Sequence, residues 1–244
     1  MISNQSEPDA ERSAWIRIYE NFHEIELLDD LYVVLNHVFL PPSTFFVDNK
    51  LIHNKKAAAA LEKYIPGPIA VFIERHLSKL AEFLKIDTKA SGGWEFWSRV
   101  STINSPSFGY LHIDNDELLR VQSGELMTPV YGSILYVGPK HGMEGGETAF
   151  LTTSNARIDS YIFTSLLEHE YSTPPFTFIE PNTGRLVVFA GNLPHAVMRI
   201  RPETALPRVT FLANYWERRL SSVSDGVCSM TPMEYRGEDA INFS

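Results

Sequence analysis

The feature that most constrains this chain is a change of hydrophobic period near Trp94. Before it, apolar residues recur at steps of three and four. Trp15, Ile18, Tyr19, Phe22, Ile25 and Leu28 mark an amphipathic helix over 11–35, and Phe72, Ile73, Leu77, Leu80 and Leu84 mark another. Helix formers at 55–64 lie between a Pro41-Pro42 break and a Pro66-Gly67-Pro68 turn. After Trp94, short apolar runs stand between turn signals at 96–103, 108–113, 130–137, 148–152, 176–179, 185–190, 196–200 and 209–216. About eight strands after a helical third predict a mainly β fold with some α: a double-stranded β-helix, or jelly roll, buttressed by N-terminal helices. Such a fold can hold a small ligand at its mouth.

Composition narrows the rest. The 244 residues are 44% hydrophobic and 12% aromatic, enough for one substantial core. The expected organisation is a single domain over 1–244, with 1–93 as helical support, 94–217 as the jelly roll and 218–244 as a tail or lid without periodicity. A net charge of −9, with Lys55-Lys56 and Arg218-Arg219 as the basic doublets, disfavours nucleic acid, whose phosphates need a clustered basic surface. No apolar run is long enough to span a membrane, and the start MISNQSEPDAERS lacks the parts of a secretory signal, so the expected place is the cytoplasm. The single cysteine, Cys228, excludes an internal disulfide and a thiolate-built metal cluster. A metal would have to use histidine and carboxylate. Nothing in the sequence specifies an oligomeric state.

Such a set is present. In Tyr110-Leu111-His112-Ile113-Asp114 an extended backbone would project His112 and Asp114 to one side. His195, at the start of a later strand, completes two imidazoles and one carboxylate, the triad that binds one face of an octahedral iron(II) and leaves three positions open. A His-x-Asp pair alone arises by chance about 0.4 times in such a chain, so its context carries the weight. Gly145-Gly146-Glu147-Thr148, Pro181-Asn182-Thr183-Gly184-Arg185, His195 and Arg208-Val209-Thr210 follow it in order.

In these residues, over about 94–217, the chain resembles the 2-oxoglutarate/iron(II) dioxygenase superfamily, most closely its prolyl-hydroxylase-like branch. The resemblance implies iron(II) held by His112, Asp114 and His195, with 2-oxoglutarate as cosubstrate and O2 as oxidant. It places the distal carboxylate of 2-oxoglutarate on Arg208. The prolyl hydroxylase branch usually has lysine there, a departure that leaves the binding role intact. The implied reaction hydroxylates, or otherwise oxidises, an unactivated C–H bond with release of succinate and CO2. Halogenating relatives carry a small residue in place of the acid, so Asp114 points to hydroxylation-type chemistry.

Arg208 also suits its role on physical grounds, because a guanidinium fork grips a carboxylate with two parallel hydrogen bonds and stays charged. On a strand, Arg208, Thr210, Leu212 and Asn214 share one face, so the Thr210 hydroxyl can add a donor; Tyr136 can add a phenol. Core packing competes with that role for Tyr136 and for Tyr131. Trp94, Trp97, Phe108 and Tyr110 are candidates for pocket walls. Of these, Trp97 and Tyr110, together with Arg99, whose burial demands an anionic partner, are assigned to substrate. His141 and His169 read as loop or surface residues, Glu117 as surface charge and Asp116 as an alternative ligand. Arg199 and Arg201 stand close enough to His195 in sequence to reach substrate. The expected partner is a small metabolite or amino-acid-derived molecule. The competing readings are a hydroxylase of protein side chains, a catalytically silent metal- or ligand-binding jelly roll, and a cupin-type metalloenzyme, which the lack of a His-x-His pair disfavours.

Overall fold

The computed structural model describes residues 15–37, 44–87, 89–102, 110–139, 145–152, 164–165, 176–201, 206–223 and 227–230. In chain order its elements are β1 (Ile16–Tyr19), α1 (Ile25–His37), β2 (Thr44–Asp48), α2 (Asn49–His53), α3 (Ala57–Leu61), α4 (Gly67–Phe83), β3 (Gly93–Ser101), β4 (Tyr110–Leu111), α5 (Glu117–Ser123), β5 (Tyr131–Gly138), β6 (Thr148–Leu151), β7 (Thr164–Ser165), β8 (Phe176–Ile179), β9 (Leu186–Ala190), β10 (His195–Val197), β11 (Arg208–Trp216) and β12 (Val227–Met230).

The larger sheet runs β1-β9-β5-β11-β3-β2-β12, and β10-β6-β8 and β4-β7 form the smaller ones. Backbone hydrogen bonds in both directions between His112 and His195, 3.0 and 2.9 Å, extend the smaller layer from β10 to β4. Every pairing of named strands among the described residues is antiparallel. This is the expected two-layered jelly roll.

Alternation along the strands sorts side chains into two cores. Val209, Phe211, Ala213 and Tyr215 of β11, Leu135 and Val137 of β5, and Trp94 and Phe96 of β3 pack in one cluster with Leu28, Leu31 and Leu35 of α1 and Ile69, Ile73 and Leu77 of α4. The helices therefore cover the outer face of the larger sheet. Ile134, Tyr136, Phe150, Ile179, Val187, Phe189 and Leu193 form a second cluster between the layers. Among the described residues no helix is long and apolar enough to cross a membrane.

The helix expected over 11–35 is corrected in its first part. Residues 16–19 are strand β1, paired with β9 in the register Ile16↔Phe189 to Tyr19↔Leu186. The spacing of Trp15, Ile18, Tyr19 and Phe22 fits a helix, but β-branched Ile16 and Ile18 gain more by adding to the edge of β9. The chain then reverses through Asn21, at φ 53°, and α1 starts at Ile25. Strand β2 also lies in the part read as helical. Residues from Arg218 onward, without periodicity, still contribute β12, which pairs with β2; 224–226 and 231–244 lie outside the described residues.

The helical layer encloses a histidine pair. His23 Nε2 lies 2.8 Å from Nδ1 of fully buried His76. Burial, with Lys79 nearby, holds His23 down at about 4, and burial with His23 holds His76 well below the ordinary range. The unfolded chain takes up protons on these rings near pH 6.5 whereas the folded one resists, so stability falls as pH drops from about 6.5 toward 4. We expect the pair to cost on the order of 1–2 kcal/mol between about pH 7 and pH 5, with the partial exposure of His23 discounted. Urea midpoints across that range should fall less steeply in a His23→Gln/His76→Leu variant; parallel curves would refute the assignment.

Candidate metal and anion site

Two structural links bring the triad together. The backbone bridge sets the His112 and His195 rings side by side, with centroids 4.5 Å apart. Beyond β4 the chain is irregular, yet Asp114 still turns to the same side: its Oδ1 lies 3.7 Å from His112 Nε2 and its Oδ2 3.8 Å from His195 Nε2. One ligand atom from each residue falls within 4.8 Å of the others, a spacing that can enclose one ion.

The protonation of His195 suits this use. Nδ1 lies 3.1 Å from the Leu193 carbonyl, and a carbonyl only accepts, so Nδ1 carries the proton and Nε2 keeps a lone pair facing Asp114. Burial first, and His112 second, hold His195 down at about 4, so it is neutral near pH 7. Phe189 and Phe150 pack on the ring at 4.9 and 5.9 Å and fix its plane. A neutral imidazole, a second imidazole and a carboxylate are a donor set for iron(II).

Arg208 opens β11 on the inward face and is 1% exposed. Its guanidinium carbon lies 5.0 Å from the Tyr136 ring centroid, and a terminal nitrogen stands 3.5 Å from Thr148 Oγ1. Its Nε is buried without a hydrogen-bond partner among the described residues. A buried guanidinium with an unused donor invites an anion, since leaving a charged donor unsatisfied in a dry site is costly. Gly146, at φ 72°, makes room for it: a Cβ there would stand 3.1 Å from Arg208 Cδ. Tyr136 is equally buried, and its hydroxyl shares a 2.7 Å hydrogen bond with Thr148. Thr210 is buried beside them, its hydroxyl 3.5 Å from the Arg99 carbonyl.

The remaining expected residues divide. Trp97 and Arg99 alternate on β3 with outward-packed Trp94, Phe96 and Val100, so they face inward and are half-buried. Burial, and then Arg208 nearby, lower the Arg99 pKa. The side chain of Tyr110, and the whole of Phe108, His141 and His169, lie outside the described residues. Asp116 is occupied elsewhere: its carboxylate accepts from Leu119 N at the start of α5 and from Ser221 N, so it is a helix cap rather than a ligand. Glu117 pairs with Arg120 at 2.8 Å.

Three side chains beside the triad have no role in the sequence reading. Asn214 Nδ2 donates to Asp114 Oδ2 at 3.1 Å and stands 3.5 Å from Glu95 Oε2, which also accepts from Trp216 Nε1 at 3.0 Å. Burial, with Asp114 adding to it, pushes the Glu95 carboxyl up to about 8. The available signal was a lone acid between Trp94 and Phe96.

No family model matches the chain, and no curated protein matches it. Solved structures do show likeness. A Pseudomonas putida prolyl-4-hydroxylase is 13% identical over 89% of this chain and 98% of its own, with a TM-score of 0.43. HygX from Streptomyces hygroscopicus, with nickel and 2-oxoglutarate bound, is 14% identical over 83% of each chain, TM-score 0.46. A viral collagen prolyl hydroxylase from Paramecium Bursaria Chlorella virus-1 is 14% identical over 88% of this chain and 97% of its own, TM-score 0.46.

One expectation follows from the buried hydroxyl pair. Thr148→Val removes one partner of the Tyr136 hydroxyl, which keeps its contact with Arg208, at a cost of about 0.5–1.5 kcal/mol. In a double-mutant cycle with Tyr136→Phe, measured by urea unfolding, the double variant should cost less than the two single variants combined; strict additivity would show that the contact carries no energy.

Proposed function

We propose that this protein is an iron(II)- and 2-oxoglutarate-dependent oxygenase that hydroxylates, or otherwise oxidises, an unactivated C–H bond of a small molecule. The observation that carries this reading is the pairing, inside one jelly roll, of a His-Asp-His cluster with a buried guanidinium that keeps an unused donor. A metal-binding scaffold needs the first and has no use for the second.

In this reading His112, Asp114 and His195 hold the metal. Arg208 grips the distal carboxylate of 2-oxoglutarate, with Thr210 and Tyr136 alongside. When bound, the metal and 2-oxoglutarate supply the oxidising chemistry, in which O2 and 2-oxoglutarate yield succinate, CO2 and one oxygen atom for the substrate. The chain's own residues bind, orient and exclude water. Phe150 and Phe189 form an apolar wall at His195, and neutral His195 offers its lone pair without first losing a proton. Apolar walls matter because water in the site weakens each electrostatic contact and invites side reactions.

Trp97 and Arg99, inward and half-buried, are assigned to substrate together with Tyr110. A small amino-acid-derived metabolite suits an aromatic wall beside a guanidinium, which would take a carboxylate on the substrate.

Two sets of variants test the reading. His112→Ala, Asp114→Ala and His195→Ala should each abolish iron(II)-dependent succinate formation in a folded protein; near-normal turnover in His195→Ala would refute the triad. For the cosubstrate, 2-oxoglutarate is titrated into the anaerobic iron(II) protein and followed by its charge-transfer band. Arg208→Ala should lose about 2–5 kcal/mol, roughly a factor of 30 to several thousand in affinity. Arg208→Lys should recover part, keeping charge without the fork, and Arg208→Met none. Undiminished affinity in Arg208→Ala would sink its assignment, and no band in the wild type would sink the oxygenase reading.

A further inference from the structure

We infer that Asn214 and Glu95 are positioning residues that hold the Asp114 carboxylate to single-point ligation, a role that deepens the metal reading above and rests on it. Asp114 stands on the irregular stretch that follows β4, so the backbone there does not by itself fix its side chain. Two residues on, Asp116 anchors that stretch to α5 and to Ser221 N. What fixes the carboxylate is the other layer.

Asn214 and Glu95 are direct cross-strand partners on β11 and β3. Their spacing is set by the ladder rather than by flexible side chains. Asn214 is 2% exposed, and its amide nitrogen faces Asp114 Oδ2 at 3.1 Å and Glu95 Oε2 at 3.5 Å. A carboxamide has two N–H donors, and both are used toward these oxygens. The flipped amide would set a carbonyl oxygen against the acceptor oxygen of Asp114 at 3.1 Å, so that contact dictates the orientation. Glu95 is anchored in turn by the indole N–H of Trp216, 1% exposed and packed with Phe46 and Leu220. The chain of contacts thus runs from a rigid aromatic core through Glu95 and Asn214 to one oxygen of Asp114.

The consequence is geometric. With Oδ2 engaged by Asn214, Oδ1 is the oxygen that carries no such hydrogen bond, so single-point ligation through Oδ1 keeps that bond whereas chelation through both oxygens competes with it. Single-point ligation keeps a coordination position vacant, which a site for a bidentate cosubstrate and O2 needs. Partners of this kind orient ligands and tune affinity, and their loss costs roughly 10–100-fold in metal binding.

The test uses cobalt(II), titrated without 2-oxoglutarate into the full-length protein and followed by its d–d absorption. Folding of each variant is checked by thermal melting. Asn214→Leu and Glu95→Leu should bind roughly 10–100-fold more weakly and show an altered band shape, because the carboxylate is free to change its mode. Glu95→Gln, which keeps an oxygen for both donors, should return to within a few-fold of wild type with the wild-type band. If Asn214→Leu does not fold, Trp216→Phe serves, since it removes the N–H but keeps the aromatic packing; it should shift the band in the same direction. Wild-type affinity and band shape in folded Asn214→Leu, or in Trp216→Phe where that replaces it, would overturn the inference alone. So would a Glu95→Gln variant no better than Glu95→Leu. A wild type that binds no cobalt, or binds it no better than His112→Ala, would overturn the metal reading and this inference with it.

Discussion

The site depends on the alternation of β11. This strand is paired with β3 along its whole length and with β5 from Val209 to Tyr215, with one register shift between Val209 and Thr210, so the continuous β3 ladder fixes its pleat. Its odd positions, Val209, Phe211, Ala213 and Tyr215, belong to the core under the helices. Its even positions, Arg208, Thr210, Leu212, Asn214 and Trp216, face the other layer. A slip of one residue would exchange the two sets, burying a guanidinium and a carboxamide under α1 and α4. The hydrophobic demand of the helical face therefore fixes where the polar groups of the site must point. Packing on one side of the sheet specifies chemistry on the other.

Burying charge between the layers is expensive, and the described residues share that cost unevenly. Glu95 is accommodated by two donors and by a carboxyl pushed up to about 8, so it is largely protonated near pH 7. His195 is accommodated by being neutral. Arg208 cannot discharge, because a guanidinium stays protonated at any ordinary pH. It has the Tyr136 ring and hydroxyl, Glu147 nearby, a long contact to Thr148 and an unsatisfied Nε. Of these three groups Arg208 is thus the least compensated.

The sequence made the jelly roll legible because strands that bury one face against helices and the other against a second sheet read as short apolar runs. The observed bounds of β8, Phe176–Ile179, match the run at 176–179, and β5 and β11 differ from theirs by a residue. The failures have a common cause. β1, β2 and β12 are peripheral strands of the larger sheet, whose existence depends on an edge supplied by distant residues. Local periodicity does not record that edge. The same holds within the site. His112, Asp114, His195 and Arg208 stand out through their residue types, their order among the flanking motifs and the family resemblance that this order carries. Asn214 was placed on the correct face without a role, and Glu95 without either, because their meaning arises only when β3 lies beside β11 and Asp114 arrives from the opposite layer.

That opposition also orders the site along the sheet. Arg208 and Asn214 lie six residues apart on one face of β11, about 20 Å at a rise of roughly 3.3 Å per residue. At one end Arg208, Tyr136 and Thr148 make a buried polar corner; at the other Trp216, Glu95 and Asn214 form the chain of contacts that reaches Asp114. Thr210 and Leu212 occupy the face between. The rise of the strand thus sets the separation of the two ends. A lysine at 208 would span a similar length, but it would present a point charge in place of a planar fork, so reach and geometry are separable demands. Reach is set by the strand, and geometry by the walls that Gly146 leaves open and Tyr136 closes.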